Sequence, residues 1–251
     1  MQHRARKRFG QNFLIDPQII DRIVASIAPK PKDNLIEIGP GKGALTLPLL
    51  EKLEAMRVIE IDRNLIALLE SKNHQNLSVI AADALKFDFS QFQEKSRIVG
   101  NLPYNISSPL LFHLLGHRGN IIDMTFMLQK EVADRIVAPH GNKTYGRLSV
   151  MMQAFFDVEL MFSVPKESFD PQPKIESAII YLNPKRDAPL SESTILAKVV
   201  KAAFSQRRKT LRNCLKLMLT QQQTDIDLSR RAEMLNVDEF INLTKDYAKQ
   251  N

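Results

Sequence analysis

Apolar positions along the chain recur with two periods. After Asp16-Pro17, the residues Ile19, Ile20, Ile23, Val24 and Ile27 return at steps of three and four. That spacing predicts a helix with proline at its first position, closed by Pro29-Lys-Pro31. The short apolar run 35–38 predicts a buried strand leading into Gly39-Pro-Gly-Lys-Gly43. Further strands are expected at 58–61, 77–81, 97–99 and 124–128, with helices at 44–53, 64–71, 108–115 and 129–137. Glu131 and Arg135 stand four apart and support the last of these helices. Two more strands are expected at 157–164 and 177–182. Strands alternating with helices argue for a doubly wound, parallel α/β sheet. Beyond Pro184 the pattern turns helical, which divides the chain into 1–184 and an all-helical 185–251.

Composition narrows the classes. With 44% hydrophobic and 25% charged residues in 251, the chain is globular and not mainly disordered. No apolar run reaches the roughly 20 residues that span a bilayer. The basic start MQHRARKRF has no apolar region behind it, so a secretory signal is not expected and a cytoplasmic setting is. The single cysteine, Cys214, excludes a disulfide framework or a cysteine zinc site, and reads as a structural thiol. His113 and His117 lie four apart on a helix, but no third ligand pattern follows them, so no metal is expected. The scattered methionines read as core filling.

Charge changes the picture more. The net charge is +7, and it is clustered. Arg4, Arg6, Lys7 and Arg8 open the chain without an acid. Lys198, Lys201, Arg207, Arg208, Lys209, Arg212 and Lys216 follow one another, again without an acid. If 198–216 is mostly helical, positions 198, 201, 205, 208, 212 and 216 share one face. Leu196, Val200, Phe204, Leu211 and Leu215 form a second, apolar stripe. A solvated amphipathic helix would show the same two stripes, but would normally interleave the signs. The unbroken run points to a polyanionic partner.

Three strand ends carry candidate chemistry. Glu37-x-Gly39-x-Gly41-x-Gly43 follows a strand and opens a helix; it is a tight turn or a loop against which a ligand lies. Its spacing is not the G-x-G-x-x-G of nicotinamide proteins. The second strand ends in Glu60-Ile-Asp62: Glu60 can accept both hydroxyl protons of a ribose, whereas Asp62 reads as a helix N-cap. The third ends in Ala82-Asp83-Ala84, where Asp83 can accept from an adenine amino group. Together they indicate a nucleoside-containing cofactor that needs no phosphate contact, which S-adenosylmethionine satisfies. After the fourth strand stands Asn101-Leu-Pro-Tyr104. The N6 of adenine is a poor nucleophile because its lone pair is delocalised into the ring. The Asn101 side-chain oxygen and the Leu102 carbonyl can hold its two hydrogens and aim that pair at a methyl group. Pro103 fixes the turn, and Tyr104 offers a face for an unstacked base. A strand end with packing tyrosine is the plainer alternative.

Residues 6–15 (RKRFGQNFLI), 37–43 (EIGPGKG), 101–111 (NLPYNISSPLL), 169–177 (FDPQPKIES) and 203–213 (AFSQRRKTLRN) resemble the bacterial small-subunit ribosomal RNA adenine N6,N6-dimethyltransferases, the kasugamycin-sensitivity family. The resemblance implies a Rossmann-like class I methyltransferase sheet followed by a small helical RNA-binding domain. It implies that the N-terminal segment 1–15 closes over S-adenosylmethionine, with Asn12, Leu14, Gly39, Gly41, Glu60, Asp83 and Asn101 at the cofactor. It further implies transfer at Asn101, Leu102, Pro103 and Tyr104, with Phe169 as a second aromatic wall in a loop stiffened by Pro171 and Pro173. That loop also reads as a plain Pro-rich connector. The implied substrate is a pair of adjacent adenosines in the 3′-terminal hairpin loop of 16S rRNA within the 30S particle, each dimethylated by a monomeric protein without metal or membrane. Rival readings are a large-subunit dimethyltransferase of the macrolide-resistance type and a non-catalytic small-subunit assembly factor.

Overall fold

The computed structural model describes residues 12–188 and 193–250. The basic cluster Arg4, Arg6, Lys7 and Arg8, and most of the segment expected to close over the cofactor, lie outside the described residues. The chain forms two compact units, residues 1–133 with 159–183, and residues 134–158 with 184–251.

In the first unit, helix α1 (Pro17–Ile27) starts as its sequence requires: the Asp16 carboxylate accepts the Gln18 N–H at 3.0 Å. Strands β2 (Leu35–Ile38), β3 (Met56–Glu60), β4 (Leu77–Ala81), β5 (Ser96–Asn101) and β6 (Ile121–Gln129) pair in parallel. Helices α2 (Thr46–Leu50), α3 (Arg63–Glu70) and α4 (Ser107–Gly116) follow β2, β3 and β5. Helix α3 is capped by Asp62, which accepts the Asn64 N–H at 3.0 Å. Strands β7 (Phe156–Val164) and β9 (Ser177–Pro184) complete a seven-stranded sheet of order β4-β3-β2-β5-β6-β9-β7. Because β9 runs antiparallel to β6, the sheet is mixed, a departure from the parallel sheet expected. Two short strands not foreseen, β1 (Phe13–Leu14) and β8 (Phe169–Asp170), pair antiparallel with Leu14 opposite Phe169.

The strand order reverses at β2 and β5, where open α/β sheets place a crevice beyond the carboxyl ends of the strands. The two backbones meet there so tightly that a Cβ on Gly100 would lie 2.4 Å from the Ile38 carbonyl oxygen. At the opposite end of β5 the Arg97 guanidinium bonds Asp123 through Nε at 3.0 Å, Asp33 at 2.8 Å and the Ile27 carbonyl at 2.7 Å. One side chain thereby joins β5, β6, the end of α1 and the loop before β2.

The second unit holds the later part of α5 (Lys130–Val137), α6 (Arg147–Phe155), α7 (Ser193–Ala203), α8 (Leu211–Cys214) and α9 (Val237–Ala248). The expected single boundary at 184/185 therefore misplaces 134–158. Val150, Met151, Met152, Ala154 and Phe155 of α6 are buried, and α6 packs with α7 and α9. Helix α6 escaped the sequence reading because it runs into β7 at Phe156 with no Gly or Pro between them. The expected helix over 198–216 is also corrected. Helix α7 stops at Ala203, and the Leu211 and Arg212 N–H groups bond the Arg230 and Leu228 carbonyls, each at 2.8 Å. Those donors cannot also serve an α-helix continued from 203. The apolar stripe survives the break: Leu196, Val200, Leu211 and Leu215 are buried, and the Phe204 ring stacks on Phe240 at 5.7 Å.

Among the described residues no helix is long and apolar enough to cross a membrane, and no group of three or more His, Cys, Asp or Glu could hold a metal ion. His113 and His117 contact each other and the Phe89 ring, and His113 Nε2 lies 2.8 Å from the Phe87 carbonyl. Cys214 Sγ lies 3.7 Å from the Gln206 carbonyl oxygen.

Replacing Asp123 by Ala leaves a mostly buried guanidinium with one carboxylate instead of two. Urea unfolding of this variant is expected to show a loss of about 3 kcal/mol.

Candidate active site

At the carboxyl ends of β2, β3, β4 and β5 lies a cleft of about 270 Å³. All the sequence-predicted cofactor residues line it: Asn12, Leu14, Gly39, Gly41, Glu60, Asp83 and Asn101. Leu102, Pro103 and Tyr104 line it too. Phe169 does not. It is 3% exposed and packed in the apolar core with Leu14 and Phe162, so the expected second aromatic wall is not formed by this residue. Its strand pairing gives the reason, since β8 staples Phe13–Leu14 in place and Phe169 is the buried partner of Leu14. The Ile15 N–H to the Ser168 carbonyl at 2.9 Å, and the Ser168 hydroxyl to Asp16 at 3.0 Å, extend the staple.

Gly41 sits at φ +58°, and a Cβ there would lie 3.2 Å from the Phe13 ring. The positive φ favours glycine here, and any side chain would also require the Phe13 ring to give by a few tenths of an ångström. Lys42 places its ammonium 4.5 Å from the centre of the same ring. Glu60, 7% exposed, accepts the Ile61 and Asp62 N–H groups on Oε1, both at 2.9 Å. Burial raises its carboxyl above the ordinary value, although backbone donors oppose the shift. Asp83 Oδ1 accepts the Leu85 N–H at 3.0 Å, which fixes the carboxylate at the end of β4. The Asn101 amide nitrogen donates to the Asn12 carbonyl at 3.1 Å, so its oxygen is left as the acceptor. Leu102 is anchored through its N–H to the Met127 carbonyl at 3.1 Å.

Several residues here were not given roles from sequence. Glu37 is 1% exposed, lines the cleft, and accepts the Thr46 hydroxyl at 2.6 Å. Burial pushes its carboxyl up to about 7, the Thr46 hydroxyl opposes this, and the Glu60 charge adds to it. The sequence carried a signal, an acid inside the apolar run Leu35-Ile-Glu-Ile38. Gly100 carried none, and Ser177 only its place at the end of the family-like segment 169–177. Three acids, Glu37, Glu60 and Asp83, face one base, Lys42, among the described lining residues. Such a lining suits a nucleoside with positive charge and rejects a pyrophosphate.

The comparison with known proteins decides the family. The model for the family described as Ribosomal RNA adenine dimethylase matches residues 2–249. The chain belongs to this family. A relative named "Ribosomal RNA small subunit methyltransferase A" from Saccharophagus degradans is 54% identical over 252 residues, covering 96% of this chain and 94% of that protein. A relative of the same name from Hahella chejuensis is 51% identical, covering 98% of this chain and 93% of that protein. The crystal structure of a dimethyladenosine transferase from Plasmodium falciparum matches with a TM-score of 0.82 at 29% identity, over 95% of this chain and 98% of that one. The 23S rRNA methyltransferase ErmE, at 24% identity, shares the fold with a TM-score of 0.74 over 94% of this chain and 100% of its own. This rRNA adenine dimethylase is accordingly an rRNA methyltransferase.

Glu37 makes a pH-dependent contribution to the stability of the dimethylase. Its folded carboxyl titrates above a free one, so its contribution is full at acid pH and is lost as pH rises through about 7. Glu37→Gln is therefore expected to gain stability on the wild type as pH rises from about 4.5 to about 7, by up to about 3 kcal/mol, and to hold that advantage nearly unchanged up to about pH 8. Thermal melts of the ligand-free proteins across that range check it; a constant difference overturns the assignment.

Proposed function

We propose that this dimethylase transfers methyl groups from S-adenosylmethionine to N6 of two adjacent adenosines in the 3′-terminal hairpin loop of 16S rRNA, acting on the 30S particle. The observation that carries the reading is the placement of Asn101-Leu-Pro-Tyr104 in the same cleft as Glu60 and Asp83. Relatives at about half identity that bear the small-subunit name support the choice of subunit. Glu60 holds the ribose hydroxyls, Asp83 the adenine amino group, and the Gly39–Gly41 turn the methionine part. S-adenosylmethionine supplies, when bound, an electrophilic methyl on a sulfonium.

The chain's own part is orientation. Asn101 Oδ1 and the Leu102 carbonyl accept the two N6 hydrogens, drawing the nitrogen toward tetrahedral geometry and freeing its lone pair. Tyr104 stacks on the base, and Pro103 holds the turn between them. No general base is required, because the product ammonium is acidic enough to release its proton to water. The rate gain is one of proximity and alignment. Methyl transfer to small subunits lacking the modification, measured beside large subunits lacking theirs, tests the function. Transfer to small subunits alone is expected. Transfer to large subunits selects the macrolide-resistance type, and binding without transfer selects an assembly factor.

Asn101→Ala removes one of the two acceptors while base and cofactor still bind. Single-turnover transfer at saturating cofactor is expected to fall about 100-fold. A rate near wild type removes Asn101 from the mechanism.

The second unit is proposed as the RNA-binding domain. Lys201 on α7, Arg208 in the following turn and Arg212 on α8 are all exposed. Reversing these three charges is expected to weaken binding to small subunits and to flatten its salt dependence by about 0.7–0.9 log units per lost phosphate contact. Cofactor affinity should stay at the wild-type value. Unchanged binding across several salt concentrations makes the run a solvated surface.

A further inference from the structure

The Tyr104 hydroxyl and the Ser177 hydroxyl lie 2.7 Å apart. Ser177 is completely buried, as the first residue of β9 and opposite Gln129 of β6. The neighbouring Glu176 carbonyl accepts the Lys130 N–H at 3.0 Å, so the main chain at this serine is tied to the adjoining element. A buried hydroxyl costs free energy unless it is paired, and among the described residues Tyr104 is its partner. The backbone end of Tyr104 is held as well. Its carbonyl accepts the Ser107 hydroxyl at 3.3 Å, and the Ile106 N–H bonds the Pro103 carbonyl at 3.1 Å. The aromatic ring that lines the cleft is thus tethered at both ends, to the start of α4 and to the start of β9.

We propose that Ser177 is a positioning residue for the methyl transfer: its hydroxyl fixes the tilt of the Tyr104 ring, and so sets the plane in which the target base is presented to Asn101 and Leu102. The proposal rests on the adenine-N6 reading above. The geometry favours a specific role over simple core filling. Ser177 opens the buried run Ser177-Ala-Ile-Ile180, where an apolar side chain would pack without needing a partner. A tyrosine with no tether would turn its hydroxyl to water and let the ring swing. With the tether, stacking energy is delivered at one orientation, and a base held askew loses alignment between its N6 lone pair and the methyl.

The test is a double-mutant cycle of Ser177→Ala, Tyr104→Phe and the pair, read as single-turnover methyl transfer on small subunits lacking the modification. Each single variant is expected to slow transfer at saturating cofactor roughly five- to tenfold, in keeping with the loss of one neutral hydrogen bond. The double variant should be no slower than the slower single, because both remove the same contact. KM for S-adenosylmethionine should not move, which a general loosening of the fold would not allow. Tyr104→Phe keeps Ser177 and the ring, and serves as the reporter should Ser177→Ala fold poorly. Wild-type rates in either single variant, or losses that multiply in the double, overturn the role of Ser177. Absence of transfer by the wild-type protein instead overturns the functional reading itself.

Discussion

The close parallel pairing of β2 and β5 at the point of strand-order reversal is the constraint from which the site follows. Strand order reverses there, so the chain leaves the two strand ends in different directions and opens a crevice between them. Gly100 permits the approach, since any side chain would drive its Cβ into the Ile38 carbonyl. The two loops that emerge remain close: a Cβ on Gly39 would lie 3.8 Å from the Asn101 carbonyl oxygen and 3.9 Å from Pro103 Cδ. The transfer proposed above needs a donor loop and a base-presenting loop side by side, and the close pairing of β2 and β5 makes these two loops neighbours.

Around that pair of strands the electrostatics is divided between the two ends of the sheet. At the carboxyl end Glu37, Glu60 and Asp83 gather with one lysine among the described residues, and burial raises the carboxyls of Glu37 and Glu60. Buried carboxylates such as Glu37 and Glu60 are costly to ionise until a cation arrives, which favours a cationic ligand over a neutral one of the same shape. At the amino end Arg97 is neutralised by Asp33 and Asp123, a closed set that serves stability. The same residue types thus do opposite work according to whether their partners are already present.

The N-terminal strap shows how a loop residue is placed without a long element. Phe13 and Leu14 pair with β8, Leu14 joins the core with Phe169, and Phe13 lies against Gly41. Through the Asn12 carbonyl the same strap orients the Asn101 amide. The glycine loop, the Asn101–Tyr104 loop and the strap are therefore coupled through short contacts, and Phe169 contributes by supporting the strap from beneath.

What the sequence determined by itself was local. Helix starts at Asp16 and Asp62, the alternation of strand and helix, and the cleft residues at four strand ends were all legible, because capping, periodicity and glycine loops involve residues near one another in the chain. Glu37 was half legible, an acid visible in an apolar run but without a stated role. The tertiary structure alone decided the rest. Ser177 meets Tyr104 across 73 positions, and Phe169 meets Leu14 through an antiparallel pair with no pattern of its own. The 134–158 segment joins the second unit because α6 buries its side chains there. The helix projected through 198–216 breaks because Leu211 and Arg212 find carbonyl partners at Arg230 and Leu228. Each of these depends on hydrogen bonds or burial supplied by distant residues, and periodicity within a short window carries no information about which distant residue will arrive.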